Sequence, residues 1–169
     1  NDTLIGDGSE RSFLDFDRAR YDTDGATEGI SVNFSTTATV TGQSGVIDTD
    51  TLINIEGVRG TDKDDTFTAD GSFLGSLSRD NFNEFEGKDG NDTISGNAST
   101  RGTFRTASDS VTADLKDGNS FSTNSGDTAN VGLDDIGDVG GVSSLTGSSF
   151  DDFLFGSDGF LDQSFESFD

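Results

Sequence analysis

Apolar residues along this chain are sparse, and their spacing is the first structural signal. Val58, Phe67, Phe85 and Ile94 follow one another at steps of 9, 18 and 9 residues, and Leu145 and Leu154 are again 9 apart. The absent member of the first series, Ser76, lies beside Leu77 in a serine-rich stretch. A nine-residue step is too long for one strand and matches neither a helical turn nor a heptad. It predicts a half-turn of a parallel β-helix, in which a short strand points one apolar side chain inward and a tight Gly/Asp turn follows. Ile30, Val32 and Phe34 alternate as a strand does, and so do Val111, Ala113 and Leu115. No segment carries a 3.6-residue apolar stripe, so the expected class is all-β.

Longer matches overlie this short period. Asn1-Asp2-Thr3-Leu4-Ile5-Gly6 recurs as Asn91-Asp92-Thr93-Ile94-Ser95-Gly96, and Gly60-Thr61-Asp62-Lys63-Asp64-Asp65-Thr66-Phe67 recurs as Gly147-Ser148-Ser149-Phe150-Asp151-Asp152-Phe153-Leu154. Gly29 to Phe34 is echoed by Ser110 to Leu115, and Phe82-Asn83-Glu84-Phe85-Glu86 by Phe165-Glu166-Ser167-Phe168-Asp169. The matches keep their order, so the chain reads as two units, residues 1–90 and 91–169, the second stopping before its next glycine turn. Because both ends fall inside a motif, neighbouring repeats are expected on either side.

Charge changes this picture more than length does. Among 169 residues, 33 are Asp or Glu and 10 are Lys or Arg, giving a formal charge of −23. A surface this acidic argues against nucleic-acid binding, which calls for basic patches. The acid is mostly Asp, a turn former and short-armed cation ligand, and self-repulsion on this scale opposes compaction unless an outside cation balances it. Cys, His, Met, Trp and Pro are all absent. That excludes a disulfide framework, thiolate or imidazole zinc sites and a histidine-based nucleophile pair. No apolar run approaches the roughly 18 residues of a membrane span, so membrane insertion is not expected.

The chemistry concentrates in Gly87-Lys88-Asp89-Gly90-Asn91-Asp92-Thr93-Ile94-Ser95. This stretch resembles the nonapeptide of the RTX, or haemolysin-type calcium-binding, repeat family, GGxGxDxUx with U a large aliphatic residue; Lys88 stands in place of the second glycine. Gly60 to Phe67 and Gly147 to Leu154 resemble the degenerate GTxxDDxL variant found between such blocks, with Lys63 or Phe150 in place of the fourth-position glycine. The resemblance implies a parallel β-roll or β-solenoid of degenerate nonapeptide repeats with longer strand-containing insertions. It also implies Ca²⁺ held by Gly87, Asp89, Gly90, Asn91 and Asp92, with Asp2, Asp62, Asp64, Asp65, Asp151 and Asp152 as further carboxylate donors. Calcium takes six to eight oxygens at flexible geometry, which glycine-rich turns supply by aiming carbonyls inward. The plainer reading of Gly87 to Ile94 is an Asp/Gly hairpin turn, and of the Asp64-Asp65 and Asp151-Asp152 pairs a solvated or capping role. Phe150, Phe153, Phe155, Phe160, Phe165 and Phe168 are expected to pack in the core and between repeats.

Two functional classes follow. The first is a calcium-binding structural segment of a secreted or cell-surface bacterial protein, such as an adhesin, surface-layer protein or extracellular filament. By resemblance it folds on meeting calcium outside the cell, and its partners are calcium and neighbouring repeats of the same or identical chains, including a homo-polymer. The second is a calcium-stabilised accessory module of a polysaccharide-active β-helix enzyme, or a carbohydrate-binding face. Tyr21, the only tyrosine, with Arg18 and Arg20 is the one hint of a sugar-cleaving site, and its absence from the second unit favours a chain that is not itself an enzyme.

Overall fold

The computed structural model describes residues 1–6, 16–22, 25–73, 82–137 and 141–157. Among them the chain is all-β, with fifteen strands and no helix. The first unit holds β1 (Thr3–Ile5), β2 (Arg18–Arg20), β3 (Ser31–Phe34), β4 (Ala38–Thr41), β5 (Thr49–Ile53), β6 (Gly57–Arg59), β7 (Thr66–Ala69) and β8 (Asn83–Glu86). The second holds β9 (Thr93–Ser95), β10 (Thr100–Thr103), β11 (Val111–Asp114), β12 (Asn119–Ser122), β13 (Leu133–Asp135), β14 (Val142–Thr146) and β15 (Phe153–Phe155).

The strands form two sheets. One has ten strands in the order β1-β5-β4-β3-β7-β9-β13-β12-β11-β15, and the other five in the order β14-β10-β8-β6-β2. From β5 onward the chain steps from one sheet to the other and back, pairing in parallel with the strand laid down one circuit earlier. β7 lies on β9 with Phe67 opposite Ile94, and β6 lies on β8 with Val58 opposite Phe85. The nine-residue step is the crossing itself: Val58, Phe85 and Leu145 lie in the five-stranded sheet, and Phe67, Ile94 and Leu154 in the ten-stranded one. Ser76 lies outside the described residues.

Each unit interrupts this circuit with one antiparallel excursion, β3-β4-β5 in the first and β11-β12-β13 in the second. These are the segments whose apolar residues alternate, because one face of each strand looks inward. The burial of β3, exposed-buried-exposed-buried, follows Ser31-Val32-Asn33-Phe34 residue by residue.

A single apolar column fills the space between the sheets. Phe34, Phe67, Phe85, Val32, Val40, Val58 and Val111 are essentially inaccessible. Phe34 meets Phe85 edge-on at 5.1 Å between ring centres, Phe67 lies 5.2 Å from Phe85, and Phe34 stacks on Phe73 at 4.5 Å. Aromatic residues supply area that the sparse aliphatic complement cannot, and such pairs add about 0.5–1.5 kcal/mol each beyond burial. The second unit departs from expectation here. Phe150 and Phe153 are 44% and 51% exposed, because no further strand packs outside β15 among the described residues. Phe160, Phe165 and Phe168 lie outside the described residues.

β8 is buried on both faces. Phe85 points into the core, and Glu84 and Glu86 point the other way beneath arginines. Glu84 is paired with Arg18, with Arg101 at 3.3 Å and with Arg105 at 3.4 Å. Glu86 accepts from Arg59 at 2.8 Å and from the Thr106 backbone N–H and hydroxyl at 3.1 and 2.7 Å. A carboxylate removed from water this far persists only with such partners. We expect Glu84→Ala to lower stability by about 2 kcal/mol in a denaturant titration, and Glu84→Gln by less, because Arg101 and Arg105 retain access to water.

Candidate metal turns and the aspartate ladder

Three turns share the spacing Gly-x-x-x-x-Asp, at Gly60/Asp65, Gly87/Asp92 and Gly147/Asp152. In each, the Asp side chain folds back over the glycine, and a Cβ on that glycine would overlap the carboxylate. Asp65 accepts the Thr61 backbone N–H at 2.7 Å and the Thr61 hydroxyl at 2.9 Å. Asp152 accepts the Ser148 N–H at 2.6 Å and the Ser148 hydroxyl at 2.8 Å. The glycine is therefore a steric requirement of the carboxylate, and Thr or Ser after it closes the turn. The Gly87 turn differs. Lys88 takes a left-handed backbone, φ 82°, at the position where the nonapeptide has glycine, and Asp92 Oδ2 is buried without a hydrogen-bond partner.

The other carboxylate oxygen reaches across the stack. Asp65 Oδ1 accepts the Ile30 N–H, Asp92 Oδ1 the Asp65 N–H, and Asp134 Oδ1 the Asp92 N–H, at 2.7, 2.7 and 3.1 Å. Asp50 does the same for Asp2 N–H, and Asp152 for Val111 N–H, both at 2.8 Å. Every such carboxylate points toward the β1 end of the ten-stranded sheet. One residue earlier the polarity reverses: Asp64 Oδ1 accepts the Asn91 N–H at 2.8 Å, and Asn91 Oδ1 accepts the Leu133 N–H at 2.9 Å. The turns are thus laced together by side chains where the strands are too short to do it alone.

This column is electrostatically unbalanced. Burial raises the carboxyls of Asp65, Asp92 and Asp134 to about 6, about 9 and about 7; the charge of Asp134 adds to the rise at Asp92, and Asp64 contributes at both Asp65 and Asp92. Meanwhile Arg18, Arg59, Arg101 and Arg105, four of the ten basic residues, are drawn to Glu84 and Glu86 on the other sheet. Among the described residues none of these four arginines pairs with Asp65, Asp92 or Asp134.

Four of the expected ligands converge. Asp62, Asp64, Asp89 and Gly90 line a cleft of about 320 Å³ between successive turns, together with Thr27, Glu28, Gly29 and Lys63. Lys88 Nζ sits 2.5 Å from Asp62 and 3.8 Å from Asp22 beside it. Asp65 and Asp92 are in the buried column, Gly87 lies beneath the Asp92 carboxylate, and the Asn91 amide oxygen is engaged with Leu133. Asp2 stands on the outermost described rung at one end, and Asp151 and Asp152 on the outermost described rung at the other, so these three do not join the cleft. Among the described residues no three acidic side chains form a ready-made metal ligand set. A cation would have to draw these carboxylates together, as a flexible calcium site allows.

Asp50 and Asp134 occupy the ladder without having been marked by the nonapeptide pattern. Their signals were present: Asp50-Thr51-Leu52 repeats Asp2-Thr3-Leu4, Asp65-Thr66-Phe67 and Asp92-Thr93-Ile94, and Asp134-Asp135 is a third Asp doublet beside Asp64-Asp65 and Asp151-Asp152. No protein-family model, curated protein or solved structure matches this chain.

Proposed function

We propose that this chain is a calcium-responsive structural segment, a parallel β-solenoid of degenerate RTX-like turns, from a secreted or cell-surface protein. The observation that carries the reading is the buried stack of Asp65, Asp92 and Asp134, with Asp92 Oδ2 unpartnered, together with a cleft lined by Asp62, Asp64 and Asp89 of the same turns. Such a stack needs counter-charge: four arginines are paired with Glu84 and Glu86, and at the cleft Lys88 pairs with Asp62 alone among the proposed ligands. Asp62, Asp64, Asp89 and the Gly90 carbonyl are the groups that would hold calcium. Bound there, the ion would neutralise the turns and tie adjacent circuits together, so that binding and folding reinforce each other. The alternation of strands between two sheets supports the solenoid reading. The role is mechanical, as in an adhesin, surface layer or extracellular filament, where calcium at millimolar levels suffices for weak modular sites.

Circular dichroism and hydrodynamic radius at pH 7, in chelator and then in millimolar calcium, test this. The expected outcome is an expanded or loosely ordered chain that becomes compact and β-rich on adding calcium. Identical spectra and radii in both conditions would overturn the reading.

A further inference from the structure

We infer that Lys63 and Lys88 are tethered cations that occupy Asp62 and compete with calcium for the cleft, so that two side chains of this chain set the calcium level at which the segment responds. The inference rests on the calcium reading above and names what regulates that site. These are two of the three lysines in the chain, and both reach one residue, Lys63 from the same turn and Lys88 from the next. Lys63 Nζ donates to the Asp62 backbone carbonyl at 2.7 Å, and Lys88 Nζ lies 2.5 Å from Asp62 Oδ1. Backbone carbonyls and carboxylates are both oxygens that calcium takes. Each ammonium thus engages an oxygen of a kind the ion would otherwise hold.

Lys88 is held in place against a backbone preference. Its φ of 82° is left-handed, a conformation that glycine adopts freely and a residue with a Cβ does not. Its side chain is 20% exposed and faces carboxylates: Asp62, then Asp22 at 3.8 Å, with Glu86 and Asp89 lining the same cleft. Asp22 and Glu86 have arginine partners of their own, Arg20 and Arg59, each at 2.8 Å, so Asp62 is the carboxylate that Lys88 neutralises. The cleft that Lys88 lines, about 350 Å³, shares Asp62 and Asp89 with the one that Lys63 and Asp64 line. It gives the Lys88 side chain room to withdraw when an ion takes Asp62. Until then each ammonium repels an approaching divalent ion across a few ångströms of partly screened space. A tethered charge also competes at a fixed effective concentration and cannot be diluted away.

The test is calcium binding by calorimetry at pH 7 and fixed ionic strength, for the parent chain, Lys88→Met, Lys63→Met, the double variant and Lys116→Met. Methionine keeps the apolar stem and removes the charge; Lys116, exposed in the turn after β11, controls for the loss of one positive charge elsewhere. Each single substitution at the cleft should tighten binding several-fold, and the double variant should gain about tenfold or more. Lys116→Met should stay within about twofold of the parent. Lys88→Arg, which keeps the charge, should stay near the parent, and Lys88→Gly, which also frees the left-handed backbone, should bind at least as tightly as Lys88→Met. Where a variant folds only with the ion, the calcium midpoint by circular dichroism reports the same order. In chelator the double variant should unfold at a lower temperature than the parent, because Asp62 loses its resident counter-ions. Cleft variants that bind no more tightly than Lys116→Met overturn the inference and leave the calcium reading standing. Absence of saturable binding in the parent and in every variant overturns that reading, and the inference with it.

Discussion

Gly60→Ala and Gly87→Ala are each expected to destabilise the chain by about 2–4 kcal/mol, whereas Gly71→Ala leaves stability within about 0.5 kcal/mol. A methyl group on Gly60 or Gly87 would occupy the volume of the Asp65 or Asp92 carboxylate, while one on Gly71 meets nothing within 4 Å. The displaced carboxylate would release more than its own turn. Asp65 also holds the Ile30 N–H and Asp92 holds the Asp65 N–H, so two rungs separate and buried backbone donors lose their acceptors. Each substitution should therefore lower the unfolding midpoint in denaturant. If the Gly60 and Gly87 variants match the Gly71 control, the carboxylates do not fold back over their glycines in solution.

The metal-free chain is expected to gain stability on acidification, opposite to the usual acid denaturation. Asp65, Asp92 and Asp134 are raised in the folded state to about 6, about 9 and about 7. A carboxyl raised above its unfolded value of about 3.9 binds its proton more tightly when folded. Its contribution is complete below that value and disappears as pH climbs through the folded value. The thermal midpoint in chelator should fall between about pH 5 and pH 9, by roughly 5–10 °C or more, since each 1 kcal/mol is worth about 2–4 °C at this size. General repulsion among 33 acidic groups acts in the same direction, so Asp92→Asn separates the two causes. The amide keeps an oxygen for the Asp65 N–H and removes the buried charge. It should raise the midpoint at pH 8 and flatten its decline, whereas substitution of an exposed acid such as Asp117→Asn changes little.

Much of this architecture was legible in the sequence. The nine-residue step located the crossing from one sheet to the other, because a short strand plus a tight turn has that length whichever sheet it enters. The alternating segments around Val32 and Ala113 gave the antiparallel excursions, because a strand with one face inward must alternate. The glycine spacing located the turns, but a motif read as a source of ligands does not disclose the work each carboxylate does on the backbone. Asp65, Asp92 and Asp152 hold N–H groups of adjacent circuits, and only the stacking of residues 27 to 41 positions apart reveals those partners. The role of Glu84 and Glu86 was hidden for the same reason. Their arginines arrive from β2, β6, β10 and the loop after it, so no local pattern marks them. Asp134 was passed over although Ile136, nine residues before Leu145, continues the second apolar series and marks the turn before it.

Calorimetric titration of calcium into the calcium-free chain at pH 7 tests the central claim most directly. The account predicts saturable binding of at least one ion, in the micromolar to millimolar range, that is weakened at least tenfold by Asp64→Asn/Asp89→Asn and little affected by Asp114→Asn on the opposite unit. Absence of saturable heat up to about 10 mM calcium, or unchanged binding in the Asp64/Asp89 double variant, would contradict it.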